Sequence, residues 1–353
     1  MEERFRDLVE TPAALALSSC TGAMHVALAA MGVGPGDRVV TTPMTFASTV
    51  HVIEQVGATP VLVDVDRETL NIDASRIDAT VGDRAVRAML PVHYGGHPCD
   101  LDSIYGWAIG HGCAVIEDAA HALSSFYRDR PIGAPAQGVA EHAACFSFYV
   151  TKNMTTAEGG MLVGSEELIR EARLWSLHGM THDATSRYGE EGEWYYEVVR
   201  PGFKYNLSDV HAAIGLKQMD KLSAMQRRRR EIAVAYNQEF ASDRHLEVPT
   251  ERPEVKHSWH LYPIRLHLDS LKIDRAAFIR ELRHRRIGTS VHFIPVHLHP
   301  YYRDRYGYAP EDFPVAFAEY QRLISLPIHP RMTEEDVQDV VEAVTDIARL
   351  HAR

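Results

Sequence analysis

Residues 86–118, VRAMLPVHYGGHPCDLDSIYGWAIGHGCAVIED, decide the fold. The run 86–92 has a strand pattern, 101–111 is a segment of helix length, and 114–117 is a second strand pattern ending at Asp118. The same alternation extends upstream. A strand pattern at 60–65 (PVLVDV) follows a helix pattern at about 46–55, which follows a short strand at 38–42 and the turn 34–37. Residues 21–31 (TGAMHVALAAM) have helical spacing, and Gly32 stops them. Repeated strand–helix–strand units imply an α/β fold with a mostly parallel sheet between helices.

The pattern changes downstream. Residues 143–150 and 160–164 read as two close strands, and 177–202 as a long polar loop. Ser208 can cap one long helix running to about residue 240. Arg227 to Arg230 sit on it, and we expect a solvated face there, with contact to a nucleotide phosphate as the alternative. A polar linker at 247–256 leads into a smaller α+β unit. The expected division is a large domain over 1–240 and a small one over 241–353.

Composition narrows the class. The 353 residues carry 37 Lys and Arg against 48 Asp and Glu, a net charge of −11, which argues against a nucleic-acid partner. Apolar runs are broken every few residues, so no membrane span is expected, and the charged start MEERFRDLVE has no apolar signal core. Cys20, Cys99, Cys113 and Cys145 are scattered without a C-x-x-C pair, as in a reducing compartment. Together these point to a cytoplasmic enzyme. Twenty histidines invite a metal site, but no H-E-x-x-H occurs and no metal is expected.

In open α/β sheets ligands gather beyond the carboxyl ends of the strands. That rule selects residues 42–46, 93–94, 118 and 151–153. Lys152 follows the apolar strand FSFYV, where desolvation can lower an amine's pKa and make it a nucleophile; the plainer reading is a surface lysine in a turn. Asp118 could cap a helix starting at Ala119, or sit buried beside a cationic ring nitrogen. Thr21 and Gly22 open a helix whose free N–H groups suit a phosphate, and Ser147 could add a hydroxyl. Phe46 is either a core residue or a stacking platform for a flat ring.

The order of these pieces is familiar. SSCTGAMH (18–25), GPGDRVVTTPMTFAST, PVLVDVD, TLNID, PVHYGGHPCDLD, VIEDAAHA, FSFYVTKN, EGGMLV and GFKYNLSDVHAA resemble the DegT/StrS-type family of pyridoxal-phosphate (PLP) sugar aminotransferases. The likeness spans nearly the whole chain. The AEGG, KYNL, HSWHL, IGTSVHF and YYRDR motifs look nearest to the branch that makes UDP-4-amino-4-deoxy-L-arabinose. The resemblance implies a fold type I transferase in which Lys152 binds PLP through its amine and Asp118 pairs with the pyridinium nitrogen. His121 would lie by the ring or its phenolic oxygen, and Phe46 would stack on it. Thr21, Gly22 and Ser147 would bind the phosphate. Asn206 would reach the cofactor of a second copy, making the active unit a homodimer. His292 and His297 would lie in a loop approaching the sugar nucleotide.

The implied activity is transfer of an amino group from an amino acid, L-glutamate by analogy, through pyridoxamine phosphate. The acceptor would be the C4 keto group of a UDP-pentose or a dTDP-6-deoxyhexose, serving antibiotic or cell-envelope glycans. A 3-keto acceptor, a PLP-fold sugar dehydratase and a non-catalytic regulator are the alternatives. Lys152 stands where dehydratase relatives carry His, which favours transamination. Relatives carry a further stretch ahead of MEERF, so a segment that shapes the substrate mouth is expected upstream.

Overall fold

The alternation at 86–118 builds the centre of a seven-stranded sheet. The computed structural model describes residues 1–181 and 195–353. Its first nine strands are β1 (Ala13–Leu17), β2 (Arg38–Thr41), β3 (Thr59–Leu62), β4 (Ala88–Met89), β5 (Ala114–Asp118), β6 (Phe126–Tyr127), β7 (Arg130–Pro131), β8 (His142–Ser147) and β9 (Gly160–Gly164). The main sheet runs β1-β9-β8-β5-β4-β2-β3. The pairs from β3 through β8 are parallel, and β9 is antiparallel to both β8 and β1. Side chains alternate across it: Val115 joins the core on one face, and Ala114 and Ile116 join the core on the other. Glu117 and Asp118 therefore project to opposite faces. On β8, Cys145 shares the face of Ile116, and Ser147 follows it two residues on.

The helix Leu101–His111 has the expected bounds. Strand β4 is shorter than expected because Pro91 brings no N–H to the ladder, although Val92 still bridges Asp118. No helix follows Asp118. The Ala119 N–H goes to the Cys145 carbonyl (2.9 Å) and the chain turns, so helix capping is not its role.

The single helix expected from Ser208 is two: Asp209–Met219, which Ser208 does cap, and Leu222–Phe240. A tighter turn, Lys221 N–H to the Gln218 carbonyl (3.0 Å), separates them and lets Leu222 enter the core. The basic run on the second helix is only in part a solvated face: Arg227 is exposed. Arg229 is buried and donates to the carbonyls of Trp259, His260 and Ile328, while Arg228 pairs with Glu334 and Arg230 with Glu251. The middle of the loop expected at 177–202 lies outside the described residues; its flanks are joined by antiparallel bridges at Leu177–Lys204 and Met180–Val198.

Strands β10 (Leu246–Glu247), β12 (Tyr262–Leu266) and β13 (Leu323–Leu326) form a second, antiparallel sheet. Ile232, Ala233, Tyr236 and Phe240 share its core with the helix Glu334–Leu350. Strand β11 (Val255–Lys256) instead pairs with β6 in a third, three-stranded sheet, β11-β6-β7, which ties the start of the C-terminal segment to residues 126–131. All four cysteines are free and buried. No helix among the described residues is long and apolar enough to cross a membrane.

Candidate active site

The site gathers where β5 and β8 end and the helix Cys20–Ala30 begins. Gly160 permits this approach: a Cβ there would lie 2.4 Å from the Ser19 carbonyl carbon and 2.5 Å from Cys20 N. Ser19 caps the helix by accepting from Gly22 N–H (2.9 Å). Gly22 and Ser147 are buried, and Thr21 is half-buried. The Gly22 N–H is thus already engaged by its own cap.

Lys152 is half-buried, and its amine has no hydrogen-bond partner among the described residues. Burial pushes its pKa down, while Asp118 and Cys20 pull it partly back. Asp118 is 5 % exposed. Its Oδ2 accepts from the Thr49 hydroxyl (2.8 Å) and its Oδ1 from Ala120 N–H (3.1 Å). Burial raises this carboxyl against the lowering effect of those donors and of Lys152. The structure thus brings Lys152 and Asp118 within electrostatic reach of each other. Thr49 was not singled out from the sequence, and no local signal marks it.

Phe46 is 64 % exposed, which excludes the core reading. Its ring lies 6.1 Å from that of Phe293, which stacks on His121 at 5.8 Å and 18°. His292 shares this wall: its Nδ1 meets the Ser325 hydroxyl (2.9 Å), and its carbonyl accepts from the Tyr94 hydroxyl. Burial and the Lys152 charge push it down to about 4. His297 lies elsewhere. It is fully buried against Phe313 (4.8 Å between rings), and the charges it feels are those of Asp64 and Asp312. Asn206 is exposed, accepts from the Lys204 amine, and bridges Leu17 just upstream of Ser19.

Behind Asp118, on the other face of β5, Glu117 is clamped. His93 Nε2–H donates to one carboxylate oxygen (2.8 Å) and His142 Nε2–H to the other (2.6 Å), with the Tyr105 hydroxyl as a third donor. Both imidazoles take a backbone N–H at Nδ1, from Cys99 and Ala136, so both can donate while neutral. Burial alone would raise the Glu117 carboxyl; the hydrogen bonds from His142 and His93 win and hold it well below the usual carboxylate range. A depressed folded pKa contributes stability that is fully present above about pH 4.5 and is withdrawn as pH falls below it. Glu117→Gln, which turns an amide N–H toward donors, should cost about 3 kcal/mol at neutral pH and flatten the acid limb of a stability–pH curve. Denaturant melts from pH 3 to pH 7 check this; an unchanged acid limb would remove Glu117 as its source.

The residues present fit PLP: an unpartnered amine for its aldehyde, a buried carboxylate for its ring nitrogen, an exposed aromatic face, and a helix start beside Ser147 for its phosphate. These are the parts of a PLP-dependent enzyme built on a mostly parallel sheet. Comparison makes the class specific. The chain belongs to the DegT/DnrJ/EryC1/StrS aminotransferase family, whose model matches residues 1–345.

It is 48% identical over 347 residues to MJ1066 of Methanocaldococcus jannaschii, covering 98% of this chain and 88% of that one. It is 47% identical over 350 residues to the spore coat polysaccharide biosynthesis protein SpsC of Bacillus subtilis, with 99% and 88% covered. Among solved structures, Spr1654 of Streptococcus pneumoniae, a candidate sugar aminotransferase seen in its PMP form, superposes with a TM-score of 0.90 at 31% identity, covering 99% of this chain and 91% of that one. It has also been seen in a PLP form. PseC of Helicobacter pylori, an aminotransferase of pseudoaminic acid biosynthesis, gives 0.89 at 27%, with 99% and 90% covered. The protein is therefore a PLP-dependent enzyme of the sugar aminotransferase family, with the α/β fold expected from the alternation at 86–118.

Proposed function

We propose that the protein moves an amino group from L-glutamate to the C4 keto group of a nucleotide-activated sugar, a UDP-4-keto-pentose or a dTDP-4-keto-6-deoxyhexose. The observation that carries this reading is the Lys152 amine, desolvated and unpartnered, beside the buried Asp118 carboxylate at the sheet's carboxyl edge. PLP, once bound, supplies an electrophilic carbon and a pyridinium electron sink. Lys152 Nζ would hold it and, when free, would move a proton at the reacting carbon as general base and acid. Asp118 would pair with the cofactor's ring nitrogen and favour the protonated form. Phe46 would stack on the ring, and Thr21, Gly22 and Ser147 would hold the phosphate. His121 would lie by the ring or its phenolic oxygen, and His292 would face the sugar nucleotide.

The C4 position rests on the motif likeness of HSWHL, IGTSVHF and YYRDR to the 4-amino-4-deoxy-arabinose branch. The relationship to SpsC favours a surface polysaccharide over an antibiotic as the destination. The active unit is a homodimer in cytoplasm. Exposure of Asn206 together with Val210 (71 %) and Ile214 (41 %) on the adjoining helix supports a second copy there. A panel of UDP- and dTDP-linked 4-keto and 3-keto sugars, incubated with glutamate and the holoenzyme, tests the reading by product mass. A 4-amino product from one panel member is expected; amination of 3-keto sugars alone would overturn the C4 assignment.

A further inference from the structure

The HSWHL motif brings a second imidazole to the site, and its protonation pattern follows from its neighbours. Asn153, next to Lys152, is buried. Its amide Nδ2 donates to the Ser258 carbonyl (3.0 Å), which fixes the amide's orientation and leaves Oδ1 facing His260 Nδ1 at 3.1 Å. Gln226 Nε2 donates to the same carbonyl (3.0 Å). An amide oxygen only accepts, so His260 carries its proton on Nδ1. His121 is the opposite case. Its Nδ1 accepts from Gly95 N–H (3.3 Å), so its proton is on Nε2.

Burial holds both imidazoles well below their ordinary pKa, so both are neutral. The rings lie 4.4 Å apart, both within reach of the Lys152 charge. Gly96 enforces the packing: at φ +100° its missing Cβ would fall 2.2 Å from the Ser258 hydroxyl and 2.8 Å from the His121 carbonyl. That hydroxyl itself donates to the His121 carbonyl (2.7 Å). Neither Nε2 has a partner among the described residues, and neither is sealed from solvent.

We propose that His260 is a further binding residue of this site, which with His121 forms a fixed acceptor–donor pair for one hydroxyl-type oxygen, His260 Nε2 accepting its proton and His121 Nε2–H donating to it. The oxygen belongs either to a sugar hydroxyl or to a bound water. Asn153 is the positioning residue that sets the acceptor. This rests on the Lys152–Asp118 centre being the aminotransferase site.

The test has two arms. In the first, ¹⁵N-histidine-labelled protein without cofactor is examined by long-range ¹H–¹⁵N correlation at neutral pH, with signals assigned through His260→Gln and His121→Gln. His260 should be Nδ1-protonated, His121 Nε2-protonated, and Asn153→Ala should release His260 into a tautomer mixture. An Nε2-protonated His260 in the unsubstituted protein overturns the proposal. This arm needs no turnover, so it stands or falls apart from the aminotransferase reading.

In the second arm, His260→Phe and His260→Gln holoenzymes are compared in the two half-reactions. The loss of one hydrogen bond should raise KM about 3- to 10-fold in His260→Phe, and Gln, whose amide oxygen can accept, should recover part of it. An effect confined to the sugar half-reaction places the oxygen on the sugar; an effect in both places it on water. Unchanged kinetics in a folded His260→Phe enzyme overturns the proposal.

Discussion

Lys152→Ala is expected to abolish amino transfer, with kcat/KM reduced by at least ~10⁴-fold. On the proposed reading two roles fall on one side chain: attachment of the cofactor and movement of the proton at the reacting carbon. Its suitability for both comes from burial, which favours the neutral amine, and from the lack of a hydrogen bond that would occupy it. Because that amine has no hydrogen-bond partner among the described residues, its removal should leave the fold intact. Thermal melts of the variant should match the parent within a few degrees, and a small added amine should restore part of the rate. Turnover within ten-fold of the parent, without added amine, would show that some other group carries the chemistry.

Asp118→Asn should lower kcat/KM by about 10²- to 10⁴-fold, because breaking a buried charge pair costs about 3–5 kcal/mol. The substitution preserves shape. One side-chain oxygen can still accept from Thr49 or Ala120, which currently donate to Oδ2 and Oδ1. What is lost is the negative charge that, on the proposed reading, would keep the ring nitrogen of the cofactor protonated. Stability should change little, since the same substitution relieves the cost of burying a carboxylate. Steady-state kinetics with saturating PLP check this, and a rate within about five-fold of the parent would remove Asp118 from its role.

Much of this architecture was legible in the sequence, and the exceptions share a cause. The run 101–111 announces its helix because its ends and spacing are local properties. The β5 strand ends at Asp118, and the rule that ligands gather beyond strand ends selects Lys152 and Asp118 together. Thr49 could not be found this way: it meets Asp118 from 69 residues away in the chain.

The helix that one reading places after Asp118 does not form: the chain turns there, with the Cys145 carbonyl taking the Ala119 N–H and Asp118 Oδ1 the Ala120 N–H. Arg229 looked solvated on its own helix. Its burial depends on carbonyls at 259, 260 and 328 converging on it, which no local pattern records. The stretch 208–240 has helical character throughout, and the turn at Lys221 reflects the demand that Leu222 be buried. Phe46 shows the same ambiguity from the other side. An aromatic after a strand suits a core or a cleft equally, and only the packed chain leaves it uncovered.

The central claim, that Lys152 and Asp118 serve a PLP-dependent amino transfer, is tested most directly by the absorbance of the purified holoenzyme. Addition of L-glutamate should bleach the yellow cofactor band and release one equivalent of 2-oxoglutarate per site, and a keto sugar should restore the colour. A yellow band that no amino donor moves would contradict the account.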